Sequence, residues 1–388
     1  MISRPLASIV ISSYNYARFL PQCIESALSQ THRDVEVIVV DDGSSDDSPD
    51  VIARYGDRVV AIIKQNGGQA SAFNAGFARS RGEIVLFLDS DDVLLPAAVA
   101  RAVECFRQSS DSVRVHWPMY LIDENGARTG EVMPSEPLPD GDLRDDVILN
   151  GPRYDAVSPT TGNAWSRRFL QQVLPMPEPE FRISPDLYLF ALSPVYGPMR
   201  RIGEPQACYR AHGENHGWGT SLVGQKLDDD LRRVECAHRV TASHLRRAGV
   251  TVDAEAWEDR NWNYKWIRRL AQAKQDLLAL LPERATFALI DGGEWGGQLV
   301  PGRSAISFPE RDGRFDGPPA DDVAAITELD RLRARGADFL VVWWTAFWWL
   351  DHYAAFSDHV RDCYALRASN ERLLVFDLRP RIACANNH

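Results

Sequence analysis

Ile84-Val85-Leu86-Phe87-Leu88-Asp89-Ser90-Asp91-Asp92 decides how this chain is read. An unbroken apolar run of this length has the pattern of a strand buried on both faces, as in a parallel sheet. Three carboxylates at its carboxyl end fix negative charge on the edge where open α/β sheets bind ligands. Acids so crowded repel one another, and a divalent cation with hard oxygen ligands is their natural counter-charge. The pattern points to a metal site for a phosphorylated substrate.

Two further strand ends lie upstream. Val35-Glu36-Val37-Ile38-Val39-Val40 runs into Asp41-Asp42-Gly43-Ser44-Ser45-Asp46, and Leu6-Ala7-Ser8-Ile9-Val10-Ile11 into Ser12-Ser13-Tyr14-Asn15-Tyr16. Helical patterns at 19–28, 48–55, 69–79 and 96–107 fill the intervals, the last with Pro96 early in the helix. This rhythm predicts βαβ units and a mostly parallel sheet flanked by helices. Turns alone put Asp, Gly and Ser at strand ends. Three such ends, converging on one edge, exceed that need.

The chain has 388 residues, enough for two domains, with 45% apolar and 25% charged residues. A formal net charge of −11 argues against nucleic acid or an anionic membrane as the main partner. The 6–11 run is too short for a signal peptide, and 339–350 is too short to span a bilayer and is interrupted by Thr345. Cys23, Cys105, Cys208, Cys236, Cys363 and Cys384 form no C-x-x-C pair. Reduced thiols in the cytoplasm are expected, with peripheral contact at the inner membrane face left open.

Residues 114–120 read as one strand, followed by a Pro-rich excursion through Pro134, Pro137 and Pro139 suited to a surface loop or lid. Helix is expected at 187–192 and a strand-like return at 196–204. From Lys226 the character changes to two long helical patterns, 226–248 and 255–281. A small α/β pattern follows, with strands at 287–290, 339–343 and 373–378 and helices near 321–335 and 352–366. The expected organisation is a catalytic domain over 1–222, a helical segment over 223–284 and an α/β accessory domain over 285–388.

The opening motifs resemble the family 2 glycosyltransferases of GT-A fold. Ser8–Asn15, Ala27–Thr31 and Val39–Asp46 match in order, followed by Asn66-Gly67-Gly68-Gln69-Ala70 with Asn74-Ala75-Gly76, then Gly82-Glu83 with Asp89–Asp92. Tyr209-Arg210-Ala211-His212-Gly213-Glu214-Asn215 looks like the segment that closes that catalytic domain. The resemblance covers residues 6–216, somewhat over half the chain, and implies transfer from a nucleotide-diphosphate sugar, most commonly a UDP-sugar, with Mn2+ or Mg2+. It puts metal contact on Asp91 with Asp89 close by, and His212 as a further ligand or diphosphate contact beside Arg210. Asp42 would accept from the base, Ser12 and Tyr14 would hold base and ribose, and Gly67 and Gly68 would allow close backbone approach. Asn74 would orient that loop or serve structure alone.

Inverting transfer needs one general base opposite the leaving group. In the acid-rich segment where relatives carry it, this chain offers Asp186, with Pro185 where many relatives have a first acid. Asp186 also reads as a helix N-cap. Thr160-Thr161-Gly162-Asn163 falls where relatives shape the acceptor side. The sequence holds no Gln-x-x-Arg-Trp motif of processive synthases, so single-sugar transfer to a glycan, lipid-linked or small acceptor is implied. A sugar-phosphate nucleotidyltransferase would want a Gly-rich basic loop after the first strand, where Ser12–Tyr16 has no glycine. A silent nucleotide-sugar-binding scaffold is the non-enzymatic alternative.

The remainder says less. Trp343, Trp344, Trp348 and Trp349 read as core or interface rather than a sugar platform. Asp291–Gly297 lacks dinucleotide-fingerprint spacing and reads as a tight loop. Acceptor recognition or homo-oligomer formation are the roles expected of the C-terminal part.

Overall fold

The computed structural model describes residues 5–154, 157–213, 225–293 and 300–379. Two compact units emerge: Met1–Thr220 with Arg232–Asn263, and Ser221–Leu231 with Tyr264–His388.

In the first unit β1 (Ala7–Ser13), β2 (Val35–Asp41), β3 (Val60–Ile63) and β4 (Ile84–Asp89) alternate with α1 (Leu20–Leu28), α2 (Ser48–Ala53) and α3 (Gln69–Arg79). After β5 (Val93–Leu94) come α4 (Ala98–Gln108), β6 (Arg114–His116), β7 (Met119–Ile122), β8 (Arg128–Met133) and α5 (Arg144–Asn150). Then follow β9 (Asn163–Ser166), α6 (Arg167–Val173), α7 (Asp186–Tyr196), β10 (Met199–Arg201) and β11 (Ala207–Arg210). The main sheet has the order β10-β6-β9-β4-β1-β2-β3, parallel except for β9; a second sheet runs β5-β11-β7-β8.

Alternate residues of the central strands feed opposite layers. Ile9, Ile11, Val37, Val39, Leu86 and Leu88 pack with Leu20, Ile24 and Val99, while Val10, Ile38, Val40, Val85 and Phe87 pack with Phe73, Phe169 and Leu189. Two-sided burial explains why these strands read as unbroken apolar runs.

Several elements depart from expectation. The 114–120 run is two strands in two sheets, because Pro118 has no N–H to continue a ladder. The strand-like 196–204 segment shortens to β10.

Beyond it, α8 (Gln225–Arg247) is continuous, whereas the 255–281 pattern breaks at Asn261 into α9 (Trp257–Arg260) and α10 (Trp262–Leu280). The second unit adds β12 (Thr286–Ile290), β13 (Ser304–Ser307), the small pair β14 (Glu310–Arg311) and β15 (Arg314–Phe315), α11 (Asp322–Ala334) and β16 (Phe339–Trp343). It closes with α12 (Trp348–His352), α13 (Ala354–Cys363), β17 (Ala365–Ser369) and β18 (Leu373–Asp377) in a sheet ordered β13-β12-β16-β18-β17. Trp343 and Trp349 are core, Trp344 is half-buried and Trp348 is 50% exposed. Of the expected Asp291–Gly297 loop, residues 294–297 lie outside the described residues, as does Cys384. Among the described residues no helix is long and apolar enough to cross a membrane.

Candidate active site

Because β1, β2 and β4 run parallel, their carboxyl ends share one edge, with Ser12 level with Asp89 and Ser13 level with Asp41. Asn15, at φ +58°, accepts the Ser45 N–H at 2.7 Å, and its own N–H reaches Ser44 Oγ at 2.9 Å. The turn carrying the exposed Tyr14 is thereby tied to the loop after β2. Ser12 is half-buried beside it.

Asp42 is buried, and its carboxylate accepts from Lys64 Nζ at 2.6 Å, the Gly67 N–H at 3.0 Å and the Gly68 N–H at 2.6 Å. Gly68 has φ +91°, and a Cβ there would lie 2.7 Å from the Arg182 carbonyl oxygen. Only glycine fits such a backbone at that approach. Gln69, opening α3, donates its N–H to that same oxygen at 2.8 Å and its Nε2 to Asp89 Oδ1 at 2.6 Å. Thr160 continues the line: its hydroxyl donates to Asp186 Oδ2 at 3.3 Å and also faces the Asp89 carboxylate. Hydrogen bonds thus join the Asp42 loop to Asp89 and Thr160 to Asp186, with Thr160 facing Asp89 between them.

Burial, then the charges of Asp92, Asp91 and Asp186, push the Asp89 carboxyl well above the usual carboxylate range. Burial also raises Asp186, against the Leu187 N–H, Thr160 and Arg114, which favour its charged form. Asp186 is the first residue of α7 rather than its cap, which is Pro185. Its Oδ1 accepts the Leu187 N–H at 2.9 Å.

Asp91 and His212 meet across the edge, with His212 Nε2–H donating to Asp91 Oδ2 at 3.0 Å. Tyr16 and Phe19 seat the imidazole, with ring centres 5.6 and 5.1 Å away. Of the expected ligands Asp91, Asp89 and His212, this structure brings Asp91 and His212 into direct contact. Among the described residues no three His, Cys, Asp or Glu side chains converge as metal ligands. Asp89 turns instead to Gln69 and Thr160.

Two other motif residues make buried contacts. Arg210 is a buried brace. Its guanidinium donates to the carbonyls of Asp91 at 2.8 Å and of Asp123 and Glu124 at 3.3 Å, and to Gln22 Oε1 at 2.6 Å. Asp92, 1% exposed, is a clamp: it accepts Thr161 Oγ1–H at 2.6 Å and the Arg210 N–H at 3.0 Å. Thr161→Val should therefore destabilise the fold by about 1.5–3 kcal/mol, since a buried acid loses a charge-assisted bond. Urea unfolding at unchanged m-value is the measurement. Asn74 bonds the Met176 backbone through both amide atoms and Glu178 Oε1 through Nδ2, so what it holds in this structure is the segment around Pro175, Pro177 and Pro179. Lys64, Gln69, Thr160 and Asp92 carry no motif signal for these tasks. Glu214 and Asn215 of the closing segment lie outside the described residues.

A family model described as Glycosyl transferase family 2 matches residues 8–163. An uncharacterized glycosyltransferase of Nostoc sp. is 34% identical over 275 residues, 70% of this chain and 84% of that protein. Chondroitin synthase of Pasteurella multocida is 45% identical over 126 residues, 32% of this chain but only 13% of the synthase. The crystal structure of S. aureus TarS 1-349 in complex with UDP-GlcNAc matches with TM-score 0.50 and 18% identity, over 71% of this chain and 75% of that one. That last likeness is one of fold.

Proposed function

The chain belongs to glycosyltransferase family 2, and from that premise we propose that it moves a single sugar, with inversion, from a nucleotide-diphosphate sugar to an acceptor hydroxyl. The observation that carries this reading is that Asp42, Asp89 and Asp186 gather at one edge: Gln69 bonds Asp89 from the loop that holds Asp42, and Thr160 bonds Asp186 while facing Asp89. Donor-side and acceptor-side groups are built on one frame.

Asp42, held by Lys64 Nζ and the Gly67 and Gly68 N–H groups, would receive the imide N–H of a uracil where the Gly67 N–H is shared between its two oxygens. Ser12 and Tyr14 flank that end and hold base and ribose. The donor set beside Asp89 suits a divalent ion: Asp91 and His212 supply two protein ligands, as Mn2+ or Mg2+ takes when substrate phosphates complete its shell. Bound there, such an ion supplies positive charge against the leaving diphosphate. Asp186 then takes the proton from the acceptor hydroxyl as that oxygen bonds the anomeric carbon and the bond to the diphosphate breaks. Burial keeps Asp186 basic enough for this work. The acceptor is a glycan, a lipid-linked sugar or a small molecule.

Calorimetric titration with a panel of nucleotide sugars, with Mn2+ and then with chelator, tests the reading. One UDP-sugar should bind at least about tenfold tighter with the ion, a difference of about 1.4 kcal/mol. Equal binding in chelator contradicts it.

A further inference from the structure

Arg114 opens β6 and is 2% exposed. A buried cation needs an anion or a dense set of acceptors. Its Nε donates to the neutral Asn163 Oδ1 at 2.8 Å, and its Nη2 has no hydrogen-bond partner. The guanidinium lies 4.3 Å from the Phe190 ring centre and 5.2 Å from that of Trp165. Burial pushes it down to about 9, still a cation at neutral pH, and Asp186 is the charge that opposes this.

Asn163 passes the contact on. Its Nδ2 donates to the carbonyls of Ser158 at 3.1 Å, Pro159 at 2.7 Å and Thr160 at 3.3 Å, and the Thr160 hydroxyl reaches Asp186. Arg114 is thus linked to the carboxylate twice, by a relay of bonds and by its field. We propose that Arg114 is a positioning residue for acceptor activation: through Asn163 and Thr160 it fixes where the Asp186 carboxylate sits, and its buried positive charge faces that group. This rests on Asp186 being the base.

Stability alone does not explain such a residue. A whole buried ion pair can often be exchanged for apolar side chains of similar volume with no loss of stability, so such a pair is weak evidence of a purely structural role. The charged groups facing Asp186 are Arg114 on β6 and Asp89 on β4. His116, two residues along β6, is held neutral by burial and by Arg114, with its ring Nε2–H on the Pro139 carbonyl.

Arg114→Met should fold with a lowered melting temperature and keep its donor Kd, yet lose kcat by about 10²-fold, within the range of a general base. The acidic limb of its kcat–pH profile should move to higher pH, because without the cation Asp186 protonates more readily. Arg114→Lys should keep the limb in place and lose kcat by about tenfold, since an ammonium cannot repeat the guanidinium geometry. A folded Met variant with wild-type kcat and pH profile would overturn the proposal, as would loss of donor binding in parallel with kcat. If the Met variant does not fold, the Lys variant decides: wild-type kcat sinks the idea. Asp186→Asn is the control. Activity retained there refutes the base itself, whereas an inactive Asn variant beside an unaffected Arg114→Met refutes only the positioning role.

Discussion

Asp186→Asn is expected to lower kcat by about 10³-fold, within the range for loss of a general base, with donor Kd within about twofold of wild type. The amide keeps the size of the carboxylate; its oxygen can still accept the Leu187 N–H and its NH2 can donate to the Thr160 hydroxyl, so the helix start should survive. What it loses is a place for the acceptor proton. The sign of the pH dependence follows from burial, which lifts this carboxyl above its ordinary 3.8. A base works deprotonated, so wild-type kcat should fall on the acid side at a pH above that of an exposed aspartate. An Asn variant with wild-type kcat, or a profile flat to pH 4, rules out the assignment.

Asp91→Ala is expected to remove ion-dependent donor binding and to lower kcat/KM by about 10³-fold or more, about 4 kcal/mol or more of transition-state stabilisation. The change removes the carboxylate that His212 bonds but spares the buried clamp of Asp92. Folding should therefore be close to wild type, in contrast to Thr161→Val. The informative comparison is calorimetric: Mn2+ should tighten donor binding to the parent protein and do nothing for the variant. If Mn2+ strengthens binding to both alike, the ion does not sit on Asp91.

The catalytic fold is legible where pattern and burial coincide. The 69–79 helix stands as α3, and Ile84–Asp89 as β4, because a run buried on both faces leaves little choice of structure. The 114–120 run misleads because Pro118 is one residue in an apolar context, and its missing N–H matters only once a neighbouring strand is present. Strands β13 and β17 escape notice because Ser304–Ser307 has no buried residue and Ala365–Ser369 is half exposed. Site residues separate in the same way. Asp91 and His212, 121 positions apart, meet through the fold, and only resemblance linked them beforehand. Arg210 and Asp92 lie in motifs, yet their buried partners are set by the fold. Gln69 and Thr160 lie in motif stretches and Arg114 in none, and the tasks of all three come from partners remote in the chain.

The reversed direction of β9 has a consequence for engineering. Every neighbouring parallel strand meets the catalytic edge as it ends, whereas β9 meets it as it begins, at Asn163. One amino acid added between Pro159 and Asn163 would shift strand phase and swing alternate side chains to the wrong layer. Lengthening the chain beyond Ser166 acts at the far side of the sheet, so grafted segments belong there.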